Sequence, residues 1–403
     1  MKLSDWREQM KNAFWAICGV IGGILTSRTA IAQTRLLAPK ESFESPRWRA
    51  LGGISSVFSD DGDAIFGNPG GIGDEDGDKS KNFLRGASFP NVTLGINKYT
   101  RELYKAYSNG AETRDQKVEQ GIRTSQNKEV LYGRFTAFPY VTLKRFQLGV
   151  LIDTVGQGYL HNIEPAEASE YSTVQAPKSV TSKMKISSQS QIAIVSGFSI
   201  PYKNTGISFG VTVRYASRAS LYKDVEMNEE VAADSAKAAS RAVNKTRGLG
   251  VDLGLLYRST NSWRPSAALV VHDLANSRYK ALNSKYENEH EKTNVVLGFS
   301  VMPINGRIFG TTAAFEAHHL TDTRVTFADK MRIGLEFALG PTDGHAPVSV
   351  RVGHNLVAPS FGLAADLVFL KVDLSSFGEP IEGPTGRRID TRYLMRFLVD
   401  LRA

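Results

Sequence analysis

Cysteine is almost missing: Cys18, inside an N-terminal apolar run, is the only thiol in 403 residues. That excludes a disulfide-stapled scaffold and any cysteine-ligated metal. Long apolar runs are missing too. After residue 32 no stretch approaches about 18 consecutive apolar residues, so an inner-membrane helix is excluded. There is no Pro/Ser-rich linker and no break in composition, and the chain reads as one domain. Its formal charge of +8 is spread along the sequence rather than gathered in a stripe, which gives no reason to expect nucleic acid as a partner.

What is present begins with Lys2, Arg7 and Lys11, followed by the apolar run AFWAICGVIGGIL from Ala13 to Leu25 and then by Ala30-Ile31-Ala32. The order of charge, short apolar core and small residues predicts a secretory signal peptide over residues 1–32, cut before Gln33. Four positive and two negative charges leave with it, lowering +8 to +6.

The rest of the chain alternates at period two over segments longer than the five or six residues usual in soluble strands. Ile207, Phe209, Val211, Val213 and Tyr215 share one face, with Ser208, Gly210, Thr212 and Arg214 on the other. Leu249 to Tyr257, Met331 to Leu339 and Tyr393 to Leu401 repeat the pattern. Period alone does not separate a membrane barrel from a soluble β-sandwich. Three features favour the barrel. Strands of about ten residues, tilted, cover an apolar band of about 25 Å. Tyr215, Tyr257 and Tyr393 stand near strand ends, as an interfacial girdle requires. Short links such as Lys144-Arg145 and Lys203-Asn204-Thr205 alternate with long polar ones at about 100–128, 157–184 and 222–247, as periplasmic turns and external loops do.

The expectation is therefore an all-β fold: a transmembrane antiparallel β-barrel over 83–403. Candidate strands from residue 84 number 13, and single-chain bacterial barrels have even numbers, so about 14 strands are expected, with 12 as the alternative. The alanine-rich stretch from Glu226 to Asn244, acidic at its start and basic at its end, predicts one helical loop. If the apolar faces meet lipid, the alternate positions look into the lumen. These include Asp252, Leu256, Arg258, Glu336, Arg351, Asp366, Leu370 and Arg396, of mixed sign, with Leu256 and Leu370 suited to an acyl chain.

Residues 59–73 read SDDGDAIFGNPGGIG. Calcium is one account of Asp60, Asp61 and Asp63, but the spacing does not meet the EF-hand loop, and Asp74 to Asp78 reads as a solvated acidic turn. His318-His319 would point to opposite faces of a strand and not share a metal. No short motif brings together a serine, a histidine and an orienting third group. No catalytic residue, metal or cofactor is expected.

Placed between the leader and the first barrel strand, the run RWRALGGISSVFSDDGDAIFGNPGGI resembles the N-terminal plug of the FadL-type outer-membrane transporter superfamily, including its shorter TraF-like and PorV-like barrels. The matching residues are Ala50, Gly52 and Gly53, then Asp60, Asp61 and Asp63, then Asn68-Pro69, with Gly70 where the family motif has alanine. GLGVDLGLLYR at 248–258, ALVVHDLAN at 268–276, MRIGLEF and VSVRVGHN also look like the shorter members, whereas residues 100–245 show no match. The C-terminal residue, Ala403, departs from the aromatic ending of many such barrels. The resemblance implies a plug over 33–82 filling the lumen of a barrel in the outer membrane of a Gram-negative bacterium. It further implies contact with outer-membrane lipids, and passage of a hydrophobic ligand such as a fatty acid. A docking or shuttle platform for an exported protein partner is the alternative. In the plug, the aspartates would pair with inward arginines such as Arg214, Arg351 or Arg396.

Overall fold

The computed structural model describes residues 43–72, 84–101, 130–161, 183–202, 205–226, 243–306, 308–323, 327–340, 347–367, 369–383 and 386–402. The leader expected over 1–32 and the acidic turn expected at 74–78 lie outside the described residues.

Seventeen strand segments form one sheet: β1 (Leu84–Asn97), β2 (Leu131–Ala137), β3 (Tyr140–Leu143), β4 (Phe146–His161), β5 (Lys183–Tyr202), β6 (Ile207–Glu226), β7 (Asn244–Arg258), β8 (Ser266–His272), β9 (Arg278–Ala281), β10 (Glu289–His290), β11 (Asn294–Asn305), β12 (Phe309–Ala317), β13 (Met331–Leu339), β14 (Val348–His354), β15 (Pro359–Leu367), β16 (Leu370–Gly383) and β17 (Gly386–Arg402). Three pairs of segments are single staves with a break. β2 and β3 both lie between β1 and β4, β8 and β9 both pair with β7, and β10 continues β11 on the next stave. The wall is thus a closed antiparallel barrel of 14 staves, the last, β17, pairing back on β1 from Asn97↔Arg392 to Gly86↔Arg402. The even number expected is the number found. The alternation of short and long links fails after residue 320 because β14 and β15 are joined on the long-loop side by only residues 355–358, turned by Leu356 at φ +59°.

The barrel is apolar outside and polar inside, the reverse of a soluble core. Phe209, Tyr215, Leu249, Leu255 and Leu335 are among its exposed side chains, while Thr212, Arg214, Asp252, Glu316 and Arg396 are buried. Every inward position of the sequence pattern thereby becomes a potential contact with whatever fills the lumen. What fills it is the N-terminal segment: helix α1 (Pro46–Ala50), helix α2 (Ala64–Gly67) and a 3-10 turn over Pro69–Gly71, nearly all buried. The sequence chooses these short elements itself. Pro46 and Pro69 open helical turns because their fixed φ and missing N–H suit a first turn, and Gly52 and Gly53, at φ +77° and +98°, end α1 in a conformation that a side chain resists.

The helical loop expected over 226–244 is not helical at its ends: Glu226 closes β6 and Asn244 opens β7, two long strands whose cross-strand pairing overrides local propensity. Its middle, 227–242, lies outside the described residues.

Candidate functional site

The site is the joint between the lumen segment and the barrel wall. It is built in three ways: by close contact at glycines, by wall side chains that bond the segment's carbonyls, and by a chain of buried charges.

Close contact is made at inward glycines, with segment backbone at Gly210, Gly334 and Gly353 and with segment side chains at the others. Gly197, Gly210, Gly254, Gly298, Gly334, Gly353 and Gly362 lie on seven different staves, and at each an added methyl would strike the lumen segment. At Gly210 it would stand 2.1 Å from the Pro69 carbonyl, and at Gly353 2.2 Å from the Gly52 nitrogen. The glycines on the polar face of the strand pattern are therefore a mould for the segment. That signal was legible in the alternation at Gly210, Gly254 and Gly334 without being read.

Next come the hydrogen bonds. Thr212 Oγ1 donates to the Ile65 carbonyl at 2.8 Å, Ser208 Oγ to Gly70 at 2.7 Å, Gln147 Nε2 to Gly62 at 2.7 Å and Ser360 Oγ to Ala50 at 3.1 Å. Each satisfies a main-chain acceptor that has no ladder of its own. Asn68, fully buried, runs the contact in the other direction. Its Nδ2 donates to the Ser56 carbonyl (3.1 Å) and to the wall carbonyl of Leu255 (3.2 Å), while Oδ1 accepts from Gly70 N at 2.9 Å. The motif Asn68-Pro69-Gly70 is thus a turn whose side chain bolts segment to wall. Glu316, also fully buried, accepts from Ser55 N at 3.1 Å and Ser56 N at 2.7 Å and stands 2.5 Å from His318 Nε2. His319 follows at φ +51°, its ring 6.2 Å from that of His318.

The charges form an alternating series. Asp60 and Asp61 face Arg47, Arg47 meets Glu336 at 3.0 Å, and Glu336 meets Arg351 at 2.6 Å. Arg351 then meets Asp373 at 3.0 Å, Asp373 meets Arg396 at 2.7 Å, and Arg396 returns to Asp63 at 2.5 Å. Both ends lie in the lumen segment and the middle runs across β13, β14, β16 and β17. A second series links Glu44 to Arg49 (2.6 Å) and Arg134 (2.8 Å), and Arg134 to Asp153 (2.9 Å). Buried ions persist when each has a counter-ion, and here each has at least one. An aromatic stack completes the joint: Phe43 on Phe66 at 4.2 Å, and Phe66 edge-on to Phe138 at 4.7 Å, where the β2–β3 stave breaks.

Of the aspartate partners expected, Arg396 holds Asp63 directly, Arg351 is separated from Asp63 by Asp373 and Arg396, and Arg214 takes wall carboxylates instead, Asp252 at 3.7 Å and Asp273 at 2.9 Å. Glu336 lies inside the series. Leu256 is inward and fully buried, but it packs on Gly70 and so serves the joint. Arg258 and Asp366 are half-buried at the short-turn end. Leu370 differs from expectation. It pairs with Leu367 and Val399 on the outer face, because Asp373, three residues on and fully buried, fixes the opposite parity. Sequence reasoning missed Arg47, Glu44 and Glu316, which no motif marks and which only the barrel's closure brings together. Among the described residues no group of three His, Cys, Asp or Glu could hold a metal.

Two carboxyls of the lumen segment are moved in opposite directions. Burial would raise Glu44, but Arg134 and Arg49 override it and leave it below the usual range. Burial and then the charge of Asp63 push Asp61 up. A raised carboxyl costs stability when ionised and gives that cost back as pH falls through its folded value. Asp61→Asn should therefore stabilise the seated segment at pH 7.5, with the gain vanishing as the pH falls through the folded value of Asp61. Urea midpoints followed by Trp48 emission at both ends of that range measure this, and a gain that persists at low pH would contradict the assignment.

No protein-family model and no characterised protein sequence matches the chain. Solved structures do. The Pseudomonas putida toluene transporter TodX is 11% identical, with 88% of this chain and 97% of that chain covered and a TM-score of 0.50. The TodX deltaS2S3 mutant, a monoaromatic hydrocarbon channel, gives 10%, 89%, 99% and 0.50 in the same order. A Pseudomonas aeruginosa FadL homologue gives 12%, 92%, 100% and 0.45. At such identity the likeness is one of fold, and the fold is the one that the resemblance in the sequence implied.

Proposed function

We propose that the chain is a passive outer-membrane conduit of FadL type that admits hydrophobic small molecules, with 1–32 a cleaved leader, 33–82 the plug and 83–403 the barrel of a Gram-negative bacterium. The observation that carries the reading is the joint itself. A barrel with a lipid-compatible exterior is closed from within by its own N-terminal segment, held by contacts on most staves. Such a lumen admits solute only past or by way of the plug. The structural neighbours named for toluene and monoaromatic hydrocarbons support a hydrophobic permeant without choosing between aromatic rings and acyl chains.

Cells displaying the chain should take up labelled toluene or oleate severalfold faster than cells displaying an unrelated barrel, with glucose uptake unchanged. Equal rates for both hydrophobic probes would overturn the reading. They would favour a docking platform for exported proteins, which the same cells would reveal as a co-purifying periplasmic or secreted partner.

A further inference from the structure

Four basic side chains gather on the outside of the barrel. Lys245 and Arg247 leave β7, and Arg278 and Lys280 leave β9. All four are exposed, while Thr246 and Tyr279 between them are buried. The register sets Arg247 directly opposite Lys280, and Leu249 opposite Arg278. His290, also exposed, faces Arg278 from the other side. Like charges directly opposed on one face weaken a ladder. Among the described residues none of the four makes an ion pair that would relieve them. The carboxylates nearby, buried Asp252 and half-buried Asp273 and Glu291, are engaged with Arg214 and Arg218 on the inner side.

The level of the patch identifies its surroundings. Leu249 and Tyr215, 53% and 51% exposed, are directly paired and mark the edge of the apolar band. Residues 245–247 continue the same outward face beyond them, toward the longer loops, at the depth of lipid headgroups. Beside the patch on β6, Ser217 and Ala219 pair with Arg247 and Lys245. They are small and uncharged, and leave room against the wall for a bulky headgroup.

We propose that this patch binds the phosphates of an anionic glycolipid in the leaflet on the long-loop side, an inference that rests on the membrane reading above. Two guanidiniums and two ammoniums staggered along two neighbouring strands, with Arg247 and Lys280 paired at the centre, suit a headgroup carrying more than one phosphate, because arginine grips phosphate with paired N–H donors and lysine adds charge. Binding also removes the repulsion built into the ladder.

The test uses the full chain purified in nonionic detergent. Lipid A bisphosphate, the same lipid without phosphates, and phosphatidylglycerol are each titrated, and retained lipid is counted by native mass spectrometry. The bisphosphate should bind about tenfold more tightly than either alternative, and Arg247→Gln with Lys280→Gln should erase that margin. Equal binding of the dephosphorylated lipid, equal binding of phosphatidylglycerol, or unchanged binding by the double variant would each overturn the proposal. Heat-modifiable gel mobility shows that the variant is folded. Loss of lipid binding with hydrophobic uptake retained concerns the patch alone, whereas failure of the wild-type chain to enter vesicles would concern the membrane reading.

Discussion

Replacing Gly210 or Gly353 with valine should unseat the plug while leaving the wall intact. At both positions the first added carbon would stand about 1 Å inside contact distance of plug backbone, 2.1 Å from the Pro69 carbonyl and 2.2 Å from the Gly52 nitrogen. Backbone on both sides leaves no flexible side chain to give way. Overpacking of this kind costs at the upper end of its range, about 3 kcal/mol or more, which lowers the seated fraction by about a hundredfold. Trp48, 5% exposed and packed in the plug, should shift its emission to the red, and single-channel conductance should rise as the lumen opens. Heat-modifiable mobility should stay that of a folded barrel, because the outward faces and the ladder are untouched. Gly133 is the control, since a methyl there meets nothing within 4 Å. If Gly133→Val opened the lumen as Gly210→Val does, the mould of glycines would not be what holds the segment.

The second large effect concerns Arg396, the link through which the charge series returns to the plug. Its guanidinium is 2% exposed, contacts Asp63 at 2.5 Å and Asp373 at 2.7 Å, and faces no solvent that could replace it. Arg396→Met removes the cation and leaves two carboxylates buried, with Lys371 and Arg351, the latter at 3.0 Å, still close to Asp373. Breaking a buried pair from one side costs about 3–5 kcal/mol, far more than the net contribution of the intact pair. Adding Asp63→Asn should recover a large share of that loss, because the stranded charge is then gone. The recovery isolates the pair's coupling as a double-mutant cycle does. Urea midpoints read by Trp48 emission give the numbers. Additive losses in the double variant would show that Asp63 is neutralised by some other group.

The plug motif and the wall were legible to different degrees. Alternation at Ile207–Tyr215 and Leu249–Tyr257 named the lipid face correctly because a strand has only two faces and the apolar interior of the bilayer excludes charge from one of them. Parity at the first residue of a strand was less secure. Leu370 stands at the first residue of β16, next to a tight turn, where one residue of shift reverses the face. Of the Glu226–Asn244 stretch only the ends are described, and they belong to the wall: Glu226 pairs with Lys183 in β5 and Asn244 with Ser220 in β6.

By itself the sequence determined the two-faced strands and the turn at Asn68-Pro69-Gly70, because each depends on neighbours within a few residues: side-chain alternation, a fixed proline φ, a side-chain amide reaching two residues on. Only the tertiary structure decided which charges meet. Arg47 and Glu336 are separated by 289 residues, and Asp63 and Arg396 by 333. Their encounter depends on stave order, register and closure of the wall on itself, and no local rule carries a carboxylate to a partner that far away. The same closure gathers the inward glycines, scattered singly among seven strands, into one surface against which the plug packs closely.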